Sequence, residues 1–428
     1  MISENLRGMT SFTGDAGGIA SNLRQRLAAL TLVLLLLPAC GPSSQTAHVS
    51  DTAINSFLQN KPAGLHLLYR KALMEGPRNQ VLNDMRVGLA AMELGHYSLA
   101  RDALDRALLN IETIYADDAT ARNARSLWYE EGKKDFKGEP YERAMAYYYR
   151  GLLYILEGDF ENARASFKGG VLQDAFAEEE QNRCDFALLI FLQGWVSDKM
   201  GDRDLARMAY EEVKRLRPDF QLPDPGHNVL VIVETGTSPR KVSDGIGHGE
   251  LKFRRGRGFV ESRAHLKLNG STYDAYPMED IYWQATSRGG RQFDKILEGK
   301  VHFRQTNAMV GSALTDIAAK TMIMAPLMEN SGSFQIAAGA LGLVGATQMA
   351  LAANTKTQAD TRYWNNLPDG VHVFTARVEP AQWGDVEIVF EDATQRPQPG
   401  LSQQRPILKT HGGTGLVWAR SRSALNVK

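Results

Sequence analysis

At 428 residues the chain is long enough for two or three domains of ~150 residues, and 43% apolar with 23% charged residues is the composition of a folded protein. Lysine plus arginine and aspartate plus glutamate each number 49, so the chain as a whole is no electrostatic trap for nucleic acid. Two cysteines exclude a disulfide framework and a four-thiolate zinc site, and a single strongly apolar segment excludes a polytopic membrane protein.

That segment comes first. Arg24 and Arg26 precede an uncharged, mostly leucine run from Leu27 to Leu37, followed by Pro38-Ala39-Cys40. A basic region, a short apolar region and a small residue before the cut make the pattern of a signal peptide, and the run falls short of the ~20 residues a spanning helix needs. The cysteine directly after it resembles the lipobox of bacterial lipoproteins, with Pro38 standing where a small residue is usual. The resemblance implies a diacylglycerol and an N-acyl chain on Cys40, and two or more chains anchor stably. Gly41 in place of aspartate implies, by the same likeness, the inner leaflet of the outer membrane, facing the periplasm. Met9 is an alternative start to Met1. Residues 43–50 read as a polar tether. Loss of residues 1–39 takes away three arginines and two acids and leaves a side-chain charge near −1.

From Asp51 to about Phe220, apolar residues recur at three- and four-residue spacing, which is helix periodicity. Three windows align without gaps: they begin at Gly95, Gly158 and Gly201, and each carries an alanine five residues on, Ala100, Ala163 and Ala206. A second glycine lies seven residues before each, at Gly88, Gly151 and Gly194, and a large residue four after each alanine, at Leu104, Phe167 and Tyr210. The pattern resembles the tetratricopeptide helix–turn–helix. In that reading the earlier glycine lets paired helices approach, the later one makes the turn, and the large residue fills the space between. The units are 63 and 43 residues apart, counted from Gly88 to Gly151 to Gly194, so insertions separate them; one holds an expected helix over 117–131 and a loop up to Pro140, which suits a first helical turn. The likeness implies a concave face built from Leu82, Met85, Leu89, Met145, Tyr148, Leu152, Leu188, Phe191 and Trp195. That face is greasy and short of lysine and arginine, so either the chain fills it with its own residues, the simpler reading, or an apolar partner segment does. Cys184 reads as a buried, inert thiol.

Prolines 218, 223 and 225 close the helical stretch. Asn228–Thr235, with the unbroken apolar run Val229–Val233 within it, reads as a buried strand. Further strands are expected at Glu250–Arg255, Ala264–Leu268, Ile281–Ala285, Val301–Arg304, Val371–Val378, Val386–Phe390 and Leu416–Ala419, separated by turns such as Asn269-Gly270 and Gly289-Gly290. Ser312–Met328 and Phe334–Ala353 read as a helical insertion. The second helix is uncharged and has a small-residue stripe at Ala338, Gly342, Ala346 and Ala350, which suits a dry buried hairpin or, as the alternative, contact with a bilayer.

Chemical motifs are weak. Gly245–Gly249 lacks the lysine and the helix of a phosphate loop, and Arg254-Arg255-Gly256-Arg257-Gly258 reads as a solvated basic turn. No His-Glu-x-x-His and no Gly-x-Ser-x-Gly is present. Glu178-Glu179-Glu180 reads as helix decoration, not as a catalytic acid pair. No catalytic residue, metal site or cofactor is expected.

Three blocks carry a wider resemblance: Asp135–Arg143 (DFKGEPYER), Glu234–Lys241 (ETGTSPRK) and Ala359–Pro368 (ADTRYWNNLP). Together they resemble a family of functionally uncharacterised proteobacterial lipoproteins that join tetratricopeptide-like helices to a β-rich carboxy-terminal region. Within the third block, Arg362 and Trp364 are expected to lock the insertion back onto the sheet. The expectation is an α+β protein: signal peptide 1–39, acylated tether 40–50, an irregular tetratricopeptide-like α-solenoid over 51–225, and a sandwich-like β-rich domain over 226–428 with a helical insertion at about 311–354. The expected role is a lipid-anchored envelope scaffold with a protein partner, for which the resemblance offers the peptidoglycan-synthesis machinery, and without nucleic acid. The alternatives are an oligomeric envelope assembly or export component whose 334–353 helix meets the membrane, and an envelope enzyme acting on glycan or peptide.

Overall fold

A computed structural model describes residues 49–116, 135–174, 185–244, 250–287 and 360–426. The lipobox with Cys40, the expected helices at 117–131, 312–328 and 334–353, the strand at 301–304, Cys184, Glu178–Glu180, Gly245–Gly249 and Gly289-Gly290 lie outside these residues. The described residues belong to one compact unit, His48–Lys428.

The helical part follows its sequence signals. Helix α1 (Asp51–Leu58) is capped by the Ser50 side chain, which accepts from the Ala53 amide. Helix α2 (His66–Glu75) ends at Gly76, whose φ is 73°. Three antiparallel pairs follow: α3 (Gln80–Glu93) with α4 (Tyr97–Ala116), α5 (Pro140–Glu157) with α6 (Phe160–Asp174), and α7 (Ala187–Lys199) with α8 (Arg203–Leu216). Gly95, Gly158 and Gly201 turn each pair with φ of 76°, 76° and 82°, a region that side chains with a Cβ rarely adopt. A Cβ on Gly88 would meet Leu104 at 2.8 Å, one on Gly151 would meet Phe167 at 2.2 Å, and one on Gly194 would meet Tyr210 at 2.7 Å. These are the three glycine-to-large-residue pairs read from the sequence. Ala100, Ala163 and Ala206 are buried between their helices. Pro140 opens α5 at its first position, after Glu139 as N-cap in a capping box with Glu142.

Among the described residues the β-rich part has two main sheets and a two-stranded ribbon. Strand β1 (Val229–Thr235) runs parallel to β11 (Gly415–Arg420) and antiparallel to β7 (Gly370–Ala376), and the five-stranded order is β10-β11-β1-β7-β6, with β10 Leu408–Lys409 and β6 Tyr276–Asp280. The second sheet is β5-β4-β8-β9, from Ser271–Asp274, Glu261–Leu268, Asp385–Asp392 and Gln403–Pro406. Arg240–Asp244 (β2) pairs with Glu250–Arg254 (β3). The Asn269-Gly270 turn joins β4 to β5 with φ of 51° and 83°, the left-handed geometry that Asn-Gly hairpins favour. The expected strand at Ile281–Ala285 is instead a short helix, α9 (Ile281–Thr286). Apolar content alone does not tell a buried strand from a buried helical turn. The deciding residue is Asp280, whose carboxylate accepts from the Trp283 amide at 3.0 Å and nucleates the turn.

The layers explain the apolar run of β1, which is buried along its whole length. Val229, Val231 and Val233 face the second sheet and share a core with Leu266, Ile388 and Phe390. Leu230 and Ile232 face the helices and belong, with Val371, Val373 and Leu416, to a core cluster that continues into α3, α5 and α7. The order is therefore helices, five-stranded sheet, four-stranded sheet. Residue 225 marks where helix gives way to strand, but the core crosses it. Five large apolar side chains on the sheet face toward the helices, at ~1.5–3 kcal/mol each, contribute on the order of 10 kcal/mol. Without the helices these side chains would face water, so the helical array and the sheet share one core. Among the described residues no helix is long and apolar enough to cross a membrane.

Candidate functional site

The nine residues expected on a partner-binding concave face, Leu82, Met85, Leu89, Met145, Tyr148, Leu152, Leu188, Phe191 and Trp195, are all buried. All nine lie in the core cluster that includes the inner face of the five-stranded sheet, Trp364 and Leu367. The face is closed by the chain's own sheet. A groove that is greasy because it is interior gives a partner segment no place to lie.

The three resemblance blocks, more than 200 residues apart at their extremes, meet at the start of α5. Glu142 is fully buried; its Oε2 accepts from the Glu139 amide at 2.6 Å and its Oε1 from the Trp364 amide at 2.6 Å. Lys241 at the end of the second block pairs with Glu139 at 2.5 Å. Ser238 donates its hydroxyl to the Trp364 carbonyl at 2.9 Å. The Trp364 ring packs edge-on against Tyr149, 5.7 Å between centroids. Arg362 lies 5.6 Å from the Phe136 ring and donates to Asn79 at 2.8 Å. Arg362 and Trp364 thus fasten their segment chiefly to the helical layer, where the sequence suggested the sheet. Asn365 accepts from Arg86 of α3 at 2.8 Å, and the Asn366 amide donates to the Arg86 carbonyl at 3.1 Å and the Ala424 carbonyl at 2.9 Å.

Beside this junction sits a buried ion pair. Glu234, at the end of β1, accepts from Tyr148 at 3.1 Å, Tyr149 at 3.0 Å, Trp418 Nε1 at 3.0 Å and Arg420 at 2.8 Å. Arg420 also donates to the Asn366 carbonyl at 2.7 Å. Burial raises the Glu234 pKa while the Arg420 guanidinium pulls it back, and Tyr148 and Tyr149 are held well above the ordinary phenol value by burial beside that carboxylate. Both carboxylate oxygens of Glu234 are therefore engaged in ties between layers, with Tyr148 and Tyr149 from α5 on one side and Trp418 and Arg420 from β11 on the other.

A third carboxylate, Glu279 of β6, accepts from the Leu188 amide in the first turn of α7 at 3.2 Å, from Gln284 at 3.0 Å and from Arg217 at 3.3 Å. A register shift between Pro277 and Glu279 lets Met278 and Glu279 both reach the helical layer. Its oxygen serves one of the orphan amides of a helix start.

Burial pushes the Glu142 pKa up to about 7, against the pull of Lys241 and the Trp364 amide, and that of Glu279 up to about 8, against Arg217. Both start from 4.5. Over the interval between, the folded chain keeps protons that the unfolded chain has released, so stability falls as pH rises. His372 works the other way: burial lowers it from 6.5 to about 4, so its contribution grows with pH and is complete above its unfolded value. From about pH 6.5 to 8.5 the carboxylates decide. The urea midpoint is expected to be higher at pH 6.5 than at pH 8.5, with a smaller difference in Glu279→Gln; an equal or higher midpoint at pH 8.5 would contradict this assignment.

Glu234, Arg420, Glu279, Lys241 and Asn366 went unread as site residues in the sequence. One signal was present: a glutamate that continues an apolar strand, Val229–Val233 then Glu234, needs a buried partner, but nothing in the order of residues names Arg420. No protein-family model, curated protein or solved structure matches this chain.

Proposed function

We propose that the protein is a lipid-anchored scaffold of the cell envelope, held at the inner leaflet of the outer membrane by acylated Cys40 and offering a rigid surface to a protein partner. The observation that carries the anchor is the sequence Arg24–Cys40, with its basic start, leucine run and cysteine. What supports the scaffold reading is the use made of the perturbed acids. Glu142 and Glu279 are spent on backbone amides of neighbouring segments, and Glu234 on the hydroxyls of Tyr148 and Tyr149 across the layers and on Arg420 within its own sheet, and such ties build a stiff body rather than a reactive cleft. Because the concave face is filled, partner contact falls on the outer surface, where Leu172 of α6 and Leu205 and Met208 of α8 are 56%, 47% and 60% exposed. Cys40→Ser is expected to move the protein from the membrane fraction to the soluble periplasmic fraction. Unchanged sedimentation with membranes would remove the anchor from the account.

A further inference from the structure

A cavity of about 640 Å³ opens where the segment after α8 crosses the edge of both sheets. It exists because β6 covers β7 only as far as Val373, so Phe374 and Thr375 open onto it. Two aromatic pairs shape its walls. Phe220 and Tyr276 lie 4.9 Å apart between ring centres, and Tyr273 and Phe374 lie 4.8 Å apart. Among the described residues the same lining holds the aspartates 219, 224 and 274 against one arginine, Arg263, and neither lysine nor glutamate. Asp274 is held in place by His265. Asp224 lies 3.8 Å from His227, whose pKa is lowered by burial, so at neutral pH the imidazole does not neutralise it.

The volume is that of a small-molecule site. Apolar walls alone would accept any greasy body, but ring faces carry negative charge density and attract cations. Three aspartates against one arginine in the lining add attraction of the same sign, tempered by solvent at Asp224 and Asp274, which are 85% and 65% exposed, and by Arg217 and Lys199 beside the wall residues Tyr276 and His227. We propose that this cavity binds an organic cation, an ammonium group carried on an apolar body, either as a free amine or as a lysine-type side chain of a peptide. The proposal does not depend on the anchor or on the scaffold reading.

Calorimetry on the purified full chain tests it with choline against its uncharged isostere 3,3-dimethylbutanol, and with a short lysine-containing peptide against the same peptide carrying norleucine. The cation of at least one pair is expected to bind about tenfold or more tightly than its neutral twin. Binding of choline points to a free amine, and binding of the lysine peptide alone to a partner's side chain. Tyr273→Leu keeps an apolar side chain against Phe374 and removes one ring face; it is expected to weaken the cation roughly threefold to tenfold and to leave the neutral twin unchanged. Equal binding of cation and neutral twin in the unaltered chain would overturn the proposal, as would no binding by either cation at millimolar concentration. Since the unaltered chain decides this, a variant that fails to fold does not shelter it.

Discussion

Arg420→Leu is expected to lower the stability of the protein by ~3–5 kcal/mol, the usual cost of breaking a buried ion pair from one side. Glu234 would keep its three neutral donors, Tyr148, Tyr149 and Trp418, but lose the one cation bonded to it among the described residues. An unpaired buried carboxylate must either protonate or draw in water, and both loosen the seam between α5 and β1. The same change strands the Asn366 carbonyl, which accepts from Arg420. Converting both partners, Glu234→Gln with Arg420→Leu, should cost clearly less, because no bare charge remains. Urea unfolding of the three variants reads this. A loss under ~1 kcal/mol for Arg420→Leu alone would mean that the pair does not hold the layers together.

The second large effect concerns Trp364. It is among the largest fully buried side chains, it touches Tyr149 of α5, and its backbone is pinned at both ends by Glu142 and Ser238. Trp364→Ala removes the indole from the place where three segments meet and is expected to cost ~3–5 kcal/mol. Arg362→Ala, two residues away, removes a half-buried side chain whose ion-pair partner Asp360 is local; the loss of its hydrogen bond to Asn79 and its contact with Phe136 is expected to cost ~1–2 kcal/mol. Thermal unfolding of the two variants should therefore differ widely, with Trp364→Ala far the lower. Similar melting temperatures would show that the junction is fastened by charge and not by packing.

The unevenness of what could be read has physical causes. The helix pairs were legible because their constraint is local: Gly151 and Phe167 are sixteen residues apart, and the glycine's missing side chain is the space the ring occupies. The central strand was legible because burial on both faces writes a continuous apolar run. The α9 turn was misread as strand because six residues are too few for periodicity to speak, and the cap at Asp280 outweighs it. The convergence of the three blocks was not legible at all. Each block shows which residues it contains, while the tie from Glu142 to Trp364 spans 222 residues and exists only once helices and sheet have packed. The cavity is in the same class, since its four rings come from the linker, β5, β6 and β7.

Closure of the concave face by the chain's own sheet is the claim on which the placement of the partner surface stands. Photo-crosslinking in living cells, with a photoreactive residue at one position at a time, tests it most directly. Probes at Leu172, Leu205 and Met208 are expected to give adducts with another protein, and probes at Leu82, Met145 and Leu188 to give only crosslinks within the chain. Adducts to another protein from the second set, with none from the first, would show that the groove opens to a partner and that the sheet is not its resident filling.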